Sequence, residues 1–538
     1  MSKIKMLDCT LRDGGYLIDS KFGDNEIKGI INKLFKAKID VIECGFLKDE
    51  EHKKDTTIFN CVDEIKEYLP KERFNSENNT SFVVLADCSR YKAKNLKPYD
   101  GKSIDAIREC FFKHEMEEAF ELANIMQEKG YNVYIQPVDI LGYTDFEILK
   151  LIEKTNHLKP YAFSIVDTYG SMYKDDLVRL FSLINNNLSK DIKLGFHSHN
   201  NMQLSFSLSQ EFAELSLGSR EIIIDSTICG MGRGAGNTNT ELIANYLNKK
   251  FETNYDMNEI LDLIDIYMPR IMNKCSWGYS IPYFIAGLYN SHVHNVTYLL
   301  DKHSIKMKDM NDIIECIEPQ VRKKYDYDNL EKLYINHFSN SVDSNSAIDL
   351  LKKKIRNREV LLLMPGETLE KQKDEIIRFI DEKNPLIISI NYNDIIYNSE
   401  IIFISNIRRY ENNNILNSNK SKIITSNVNN KENKNEYIIQ FDKLIKKGWK
   451  YFDNSGILFL RVLSLLNIKK VNIAGFDGFI ENSTYSINQL DLETYKDKEE
   501  LNLINREIKE MLMDFKENEG KNVEVKFITN SIFNDIFK

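Results

Sequence analysis

The chain predicts an α/β fold: a (β/α)8 TIM barrel, then a helical extension, then a C-terminal doubly wound α/β domain. From residue 4 to about 250, short apolar runs alternate with amphipathic helical stretches, and eight such units in that length match a barrel in number and size. Polar residues gather at the C-terminal ends of those runs: Arg12, Asp13, Glu43, Asp87, Gln136, Asp139, Asp167, His197 and His199. In such barrels that rim carries the chemistry. A second strand–turn–helix series after residue 346 predicts the separate α/β domain.

The expected barrel strands cover 4–9, 40–44, 82–86, 106–112, 132–138, 162–167, 192–198 and 221–226. Helical periodicity between them marks 25–37, 115–129, 145–155, 174–186 and 203–216. The barrel domain is therefore set at 1–250. Residues 251–345 read as helical, with periodic stretches 258–268, 283–300 and 310–316, packing on the barrel or forming a homodimer surface. In the third region, 346–538, strands are expected at 359–364, 386–391, 401–405 and 471–474, and a helix at 368–382. The Asn/Lys-rich stretch 411–436 reads as an exposed insert.

Composition excludes several classes. No apolar run approaches the roughly 18 residues of a membrane span. A net charge of −9 with no basic block argues against nucleic-acid binding. The eight cysteines form no CxxC pair and the N-terminus carries no signal-peptide core, so a reducing cytoplasm is the expected location.

His197 and His199 end an apolar run of period-2 character. On a strand, residues i and i+2 point to the same side, so both imidazoles can reach one metal ion. Asp13, after the first strand, adds a carboxylate, and two imidazoles with a carboxylate make a divalent-metal site with open positions.

Three segments together resemble the DRE-TIM metallolyase superfamily (the HMG-CoA lyase-like group): Asp8-Cys9-Thr10-Leu11-Arg12-Asp13-Gly14, His197-Ser198-His199-Asn200, and Gly230-Met231-Gly232-Arg233-Gly234-Ala235-Gly236-Asn237-Thr238. The resemblance spans about residues 3–300, and its glycine-rich loop is most similar to that of the 4-hydroxy-2-oxovalerate aldolases. It implies Asp13, His197 and His199 as metal ligands, with Asn237 as a further ligand. It implies Arg12 beside the enolate oxygen of a bound 2-oxo acid. Mn²⁺ or Mg²⁺ is favoured, and Zn²⁺ or Co²⁺ fits the same mixed N/O donors. The implied activity joins or cleaves a 2-oxo acid (pyruvate) and an aldehyde. Acyl-CoA condensation or cleavage in the same superfamily and an inactive barrel scaffold are the alternatives.

The sequence departs from that resemblance at Tyr16, where the hydroxy-oxovalerate aldolases carry a catalytic histidine three residues after the aspartate. Tyr16 is then either a base or an aromatic lid. Glu43, Asp139 and Tyr279 are the other candidate bases. The loop 230–237 is read either as a flexible connection or as an anion cradle. In the C-terminal region, Gly366 in Met364-Pro365-Gly366-Glu367 and Ser455-Gly456 before an apolar helix suit anion binding at helix starts. With Asn472-Ile473-Ala474-Gly475-Phe476-Asp477, they resemble nucleotide-sugar-using proteins of bacterial surface-glycan pathways, sialyltransferase-like domains among them. That likeness implies a nucleotide-sugar ligand and a role in surface-glycan or modified-sugar biosynthesis. A purely structural domain is the alternative.

Overall fold

The computed structural model describes residues 4–74, 78–300, 305–339, 344–355, 358–411, 415, 417–428, 436–479 and 498–538. Two compact units emerge: residues 1–296 with 317–325, and residues 297–316 with 326–538.

The first unit is a closed parallel barrel. Its strands are β1 (Ile4–Asp8), β2 (Val41–Leu47), β4 (Ser81–Asp87), β5 (Ala106–Phe111), β6 (Asn132–Pro137), β7 (Ala162–Asp167), β8 (Lys193–Ser198) and β9 (Ile222–Ser226). Pairing runs around the ring, and β1 closes it by bonding to both β9 and β2. A two-residue strand, β3 (Ile58–Phe59), extends β2. The expected strands thus stand within about three residues of their places. Helices Asp24–Lys36, Met116–Glu128, Asp145–Leu158, Lys174–Asn187, Ser205–Leu215 and Thr240–Phe251 cover the outside.

Period-2 alternation sorts the side chains into layers. Outward positions such as Ile4, Met6, Ile107, Ile135 and Ile224 pack against the helices. Inward positions Leu7, Val41, Val83, Ala106, Tyr134, Ala162 and Ile223 form one apolar plug. Two residues further along β2, β5, β6, β7 and β9, the inward positions become Glu43, Arg108, Gln136, Ser164 and Asp225. The barrel interior therefore changes from an apolar layer to a charged one within a single side-chain step.

Two expected elements are broken. The stretch 283–300 forms two helices, Ile281–Leu288 and Val293–Leu300, because Asn290 adopts a left-handed φ of 55° between them. The stretch 368–382 forms Thr368–Lys371 and Lys373–Lys383, interrupted at Gln372 (φ −119°, ψ 35°). Residues 251–345 also divide between the units. Helix Met257–Met272 packs on the first barrel helix, where Lys33 Nζ reaches Glu259 at 2.7 Å. Tyr334 and Phe338 instead join Phe441 in the second unit.

The second unit carries a parallel sheet in the order β14-β13-β12-β11-β10-β15-β16 among the described residues. These are β10 (Val360–Leu363), β11 (Leu386–Ile390), β12 (Ile401–Ile404), β13 (Ser421–Thr425), β14 (Glu436–Ile439), β15 (Lys470–Ala474) and β16 (Glu524–Phe527). The order reverses between β10 and β15, as in doubly wound sheets. The Asn/Lys-rich stretch 411–436 is not wholly a loop. It contains β13, whose Ile423 and Ile424 are buried between β12 and β14, while 412–414, 416 and 429–435 lie outside the described residues. Among the described residues, no helix is long and apolar enough to cross a membrane.

Two predictions follow from these packings. Gly475 holds φ 74°, and a Cβ there would stand 1.9 Å from the carbonyl oxygen of Met364. Gly475→Ala is expected to destabilise the C-terminal unit by about 3 kcal/mol. Limited proteolysis of the full chain should show earlier cleavage there, and an unchanged digestion profile would refute the packing. At the end of β1, burial pushes the Asp8 carboxyl up to about 6, against hydrogen bonds donated by Thr240 Oγ1 and the Thr10 amide. A carboxyl raised in the folded state stabilises fully below its unfolded value near 3.8 and loses that contribution as pH rises through about 6. Chemical denaturation is expected to show a loss of roughly 3 kcal/mol across that window, absent in Asp8→Asn. Equal pH slopes in the two proteins would contradict it.

Candidate metal centre and active site

Asp13 follows β1, and His197 and His199 sit at the end of β8 and just beyond it. One oxygen of the Asp13 carboxylate and one nitrogen of each imidazole lie within 4.8 Å of one another, forming a candidate metal-binding triad. Asp13 Oδ2 stands 3.6 Å from His197 Nε2 and 3.2 Å from His199 Nε2.

The opposite ring nitrogens fix both imidazoles. His197 Nδ1 donates to Asp225 Oδ2 at 3.0 Å, and His199 Nδ1 donates to the Asp167 carbonyl at 3.0 Å. Carboxylate and carbonyl oxygens only accept, so each Nδ1 carries a proton. Each Nε2 therefore turns toward the buried Asp13 oxygen, which has no well-formed hydrogen bond. Protons or a cation can relieve that convergence, and the donor set fits a divalent metal with outer partners on both histidines. Asn237 is bridged to His199 through the backbone, and its buried Oδ1 is also without a partner, so a fourth oxygen is at hand.

Around the triad lies a chain of buried ions. Arg12 Nε donates to Glu43 Oε2 at 2.7 Å, and Arg12 Nη1 stands 3.0 Å from Asp13 Oδ1. Arg108 Nη1 meets the same Glu43 oxygen at 3.0 Å, and its Nη2 pairs with Asp225. Burial would raise the Asp13 carboxyl, but Arg12 and the two imidazoles outweigh it and hold it well below its ordinary range. Burial likewise opposes ionisation of Asp225, and Arg108 and His197 overcome it. Burial lowers His199, whereas at His197 the bonds to Asp13 and Asp225 prevail over burial and raise it.

Tyr16 lies in the short helix Gly14–Ile18, edge-on to Phe46 at 5.3 Å, with the Arg233 guanidinium 3.9 Å above its ring. Burial pushes its phenol above the ordinary value, against the pull of Arg233 and Arg12. Glu43, weighed as a base, is the shared counter-ion of two guanidiniums. Asp139 pairs with Lys323 at 2.6 Å, and Tyr279 is exposed. The glycine-rich loop folds on itself. The amides of Gly230, Met231, Gly236 and Asn237 donate to carbonyls within 227–237, and Ala235 donates to Asn201 Oδ1. Gly236 has φ 82°, and a Cβ there would stand 1.9 Å from the Gly230 carbonyl oxygen, so the loop is a frame for Asn237.

In the second unit the expected anion-binding amides are engaged. The Gly366 amide donates to Met364 and Gly475 carbonyls, and the Gly456 amide donates to Asn454 Oδ1. Ser455 Oγ joins Asn391 Nδ2 (2.6 Å) and Ser405 Oγ (2.7 Å) at the strand ends. Sequence reasoning missed Arg108 and Arg233. The available signal for Arg108 was a pair of adjacent charges, Arg108 and Glu109, inside the strand run 106–111, one of which alternation must turn inward.

Comparison with known proteins agrees with this geometry. The HMGL-like family model matches residues 3–266. The 4-hydroxy-2-oxovalerate aldolase of Pectobacterium atrosepticum is 36% identical over 277 residues, covering 49% of this chain and 75% of that protein. The enzyme of the same name from Carboxydothermus hydrogenoformans is 25% identical over 340 residues, covering 57% and 90%. The oxaloacetate decarboxylase of Mycobacterium tuberculosis is 25% identical over 246 residues, covering 46% and 70%. Family members use divalent metals, in keeping with the triad. Through its barrel the chain belongs to the HMGL-like family of the DRE-TIM superfamily, and it is an enzyme of the lyase and aldolase type.

Proposed function

We propose that the barrel catalyses a divalent-metal-dependent aldol reaction between the enolate of a 2-oxo acid, pyruvate in the simplest case, and an aldehyde. The carrying observation is the convergence of Asp13, His197 and His199 beside a guanidinium locked in place by two carboxylates. A metal held by the triad, with Asn237 as a further oxygen donor, supplies Lewis acidity toward the ketone and carboxylate oxygens of the 2-oxo acid. Likeness to the aldolases favours Mn²⁺ or Mg²⁺, and the mixed N/O donor set also suits Zn²⁺ and Co²⁺.

Arg12 stabilises the negative charge that develops on the enolate oxygen. With Nε held by Glu43 and Nη1 by Asp13, its plane is fixed before substrate arrives, so little reorganisation is needed. Glu43 and Asp225 hold Arg12 and His197 in position. Tyr16 keeps its proton at neutral pH and acts as a hydrogen-bond donor and aromatic cover. Names of the relatives support aldolase and decarboxylase chemistry, both of which pass through the same type of enolate. The cysteines, all free of disulfides, fit a reducing cytoplasm.

The test needs no knowledge of the aldehyde: metal content of the purified protein, and metal-dependent exchange of the pyruvate methyl protons for deuterium. We expect about one metal per chain, lost in His197→Ala, and exchange that stops when metal is stripped. Arg12→Lys is expected to keep the metal and slow exchange about 10²-fold or more. Metal without pyruvate exchange would reject the pyruvate reading.

For the C-terminal unit we infer a nucleotide-linked sugar as ligand. Its support is a set of buried acceptors at the carboxyl edge of the sheet and the adjoining helix start: Asn427 Oδ1 and both oxygens of Asp453 have no hydrogen-bond partner. Ligands of doubly wound sheets bind along that edge. Calorimetric titration with CMP and UDP is expected to give binding that Asp453→Ala abolishes; no heat with either nucleotide counts against it.

A further inference from the structure

A cavity of about 230 Å³ opens where the loops after β5 and β6 meet residue 169, beyond β7, and the segment 317–325 of the same unit. Lys113, Asp139, Tyr143, Tyr169, Lys323 and Lys324 line it. It adjoins the triad through the backbone. The Asp139 amide donates to Thr168 Oγ1 at 2.7 Å, and the preceding residue, Asp167, is the one whose carbonyl holds His199.

The local sequence is built around this cavity. Asp139 adopts a left-handed φ of 59°. At Gly142 a Cβ would stand 2.4 Å from Asp139 Oδ2 and 2.5 Å from Lys323 Nζ, so the missing side chain makes room for that ion pair. The segment carrying Lys323 is pinned in turn. Tyr169 donates its hydroxyl to the Lys323 carbonyl at 3.0 Å, and Asn295 Nδ2 donates to the carbonyls of Arg322 and Lys324.

The wall groups are complementary to a particular chemistry. Lys113 Nζ pairs with Glu147 and stands 5.2 Å over the Tyr143 ring, Lys323 pairs with Asp139, and Lys324 has no ion pair among the described residues. Asp139 Oδ1 and the Tyr143 hydroxyl are buried without hydrogen-bond partners. Ammonium groups ask for an anion, and an unpaired carboxylate oxygen asks for a hydroxyl.

We propose that this cavity is a second subsite of the barrel. It takes the far end of the acceptor aldehyde through an anionic group, carboxylate or phosphate, set among Lys113, Lys323 and Lys324, with a hydroxyl of the same molecule donating to Asp139 Oδ1. The identification of the ligand as the acceptor rests on the aldol reading, whereas the anion site rests on the cavity itself.

The full-length, metal-loaded enzyme tests this with pyruvate and paired aldehydes: glyceraldehyde 3-phosphate against glyceraldehyde, and succinic semialdehyde against butanal. We expect the charged member of at least one pair to have a KM about ten-fold lower or better, and the preference to collapse in Lys323→Gln/Lys324→Gln. Preference within the first pair alone assigns phosphate, and within the second alone assigns carboxylate. No preference, or one that survives in the double variant, overturns the proposal. Because Lys323→Gln leaves Asp139 unpaired, Lys324→Gln alone serves as the second variant if the double variant melts early. Titration with inorganic phosphate and succinate separates the two readings. Binding lost in the lysine variants without pyruvate exchange keeps the anion site and rejects the aldol reading. Pyruvate exchange with no anion binding does the reverse.

Discussion

The ion chain inside the barrel mouth, running from Asp13 through Arg12, Glu43, Arg108 and Asp225 to His197, is the constraint on which the site depends. Each member is under 8% exposed, and moving such ions out of water carries a penalty of several kcal/mol apiece. Those penalties are tolerable only because every charge faces an opposite one. Removing a member would strand its neighbours at a cost of about 3–5 kcal/mol. Its charge sum also matters. With both imidazoles neutral, as binding a cation through Nε2 requires, three carboxylates against two guanidiniums leave one excess negative charge in a dry pocket. A divalent cation held by the triad would reverse that sign.

This arrangement explains the barrel's layering. The apolar plug of Leu7, Val41, Val83, Ala106, Tyr134, Ala162 and Ile223 closes the lower interior. It leaves the charged layer open only toward the C-terminal rim. Ions placed one step lower would have no solvent-facing side from which substrate could enter; one step higher, water would screen them. Gly195 belongs to the same logic: a Cβ there would stand 2.3 Å from Ser164 Oγ, so β8 can lie close to β7 and carry His197 into the interior. Ser164 in turn receives Gln136 Nε2, which keeps the Gln136 oxygen toward Arg108.

Much of this was legible in the sequence, for physical reasons that also mark where legibility ended. Strand alternation and helix periodicity are local, so the barrel elements could be read to within a few residues. The Asp13, His197 and His199 set was legible because its residue types are chemically unusual at strand ends. Arg108 was not, because with Glu109 beside it the run gives no local sign of which charge faces the interior; its meaning lies in Glu43 and Asp225, 65 residues before it and 117 after it. β13 was hidden by composition, since its two central isoleucines sit among Asn and Lys residues that say loop. The return of 317–325 to the barrel unit was invisible for the same reason as Arg108: it is a long-range contact with no periodic signature.

Tyr16 stands where the resemblance to the hydroxy-oxovalerate aldolases implies a histidine, and its surroundings say what the exchange does. A histidine at that position could take and return a proton near neutral pH. Buried against Phe46, with Arg233 over its face, the phenol keeps its proton well above that range, since the two arginines pull against burial without overcoming it. Proton uptake from an aldol hydroxyl therefore cannot fall to residue 16. Glu43 is tied to two guanidiniums, which argues against that duty for it as well. The Asp167 carboxyl at the end of β7 does lie near neutrality, pushed up to about 7 by burial against the bonds donated by the Ser171 and Met172 amides. Tyr16 and Glu43 therefore serve the mouth in other ways, the phenol as a buried cover over the Arg233 contact and the carboxylate as the anchor shared by Arg12 and Arg108.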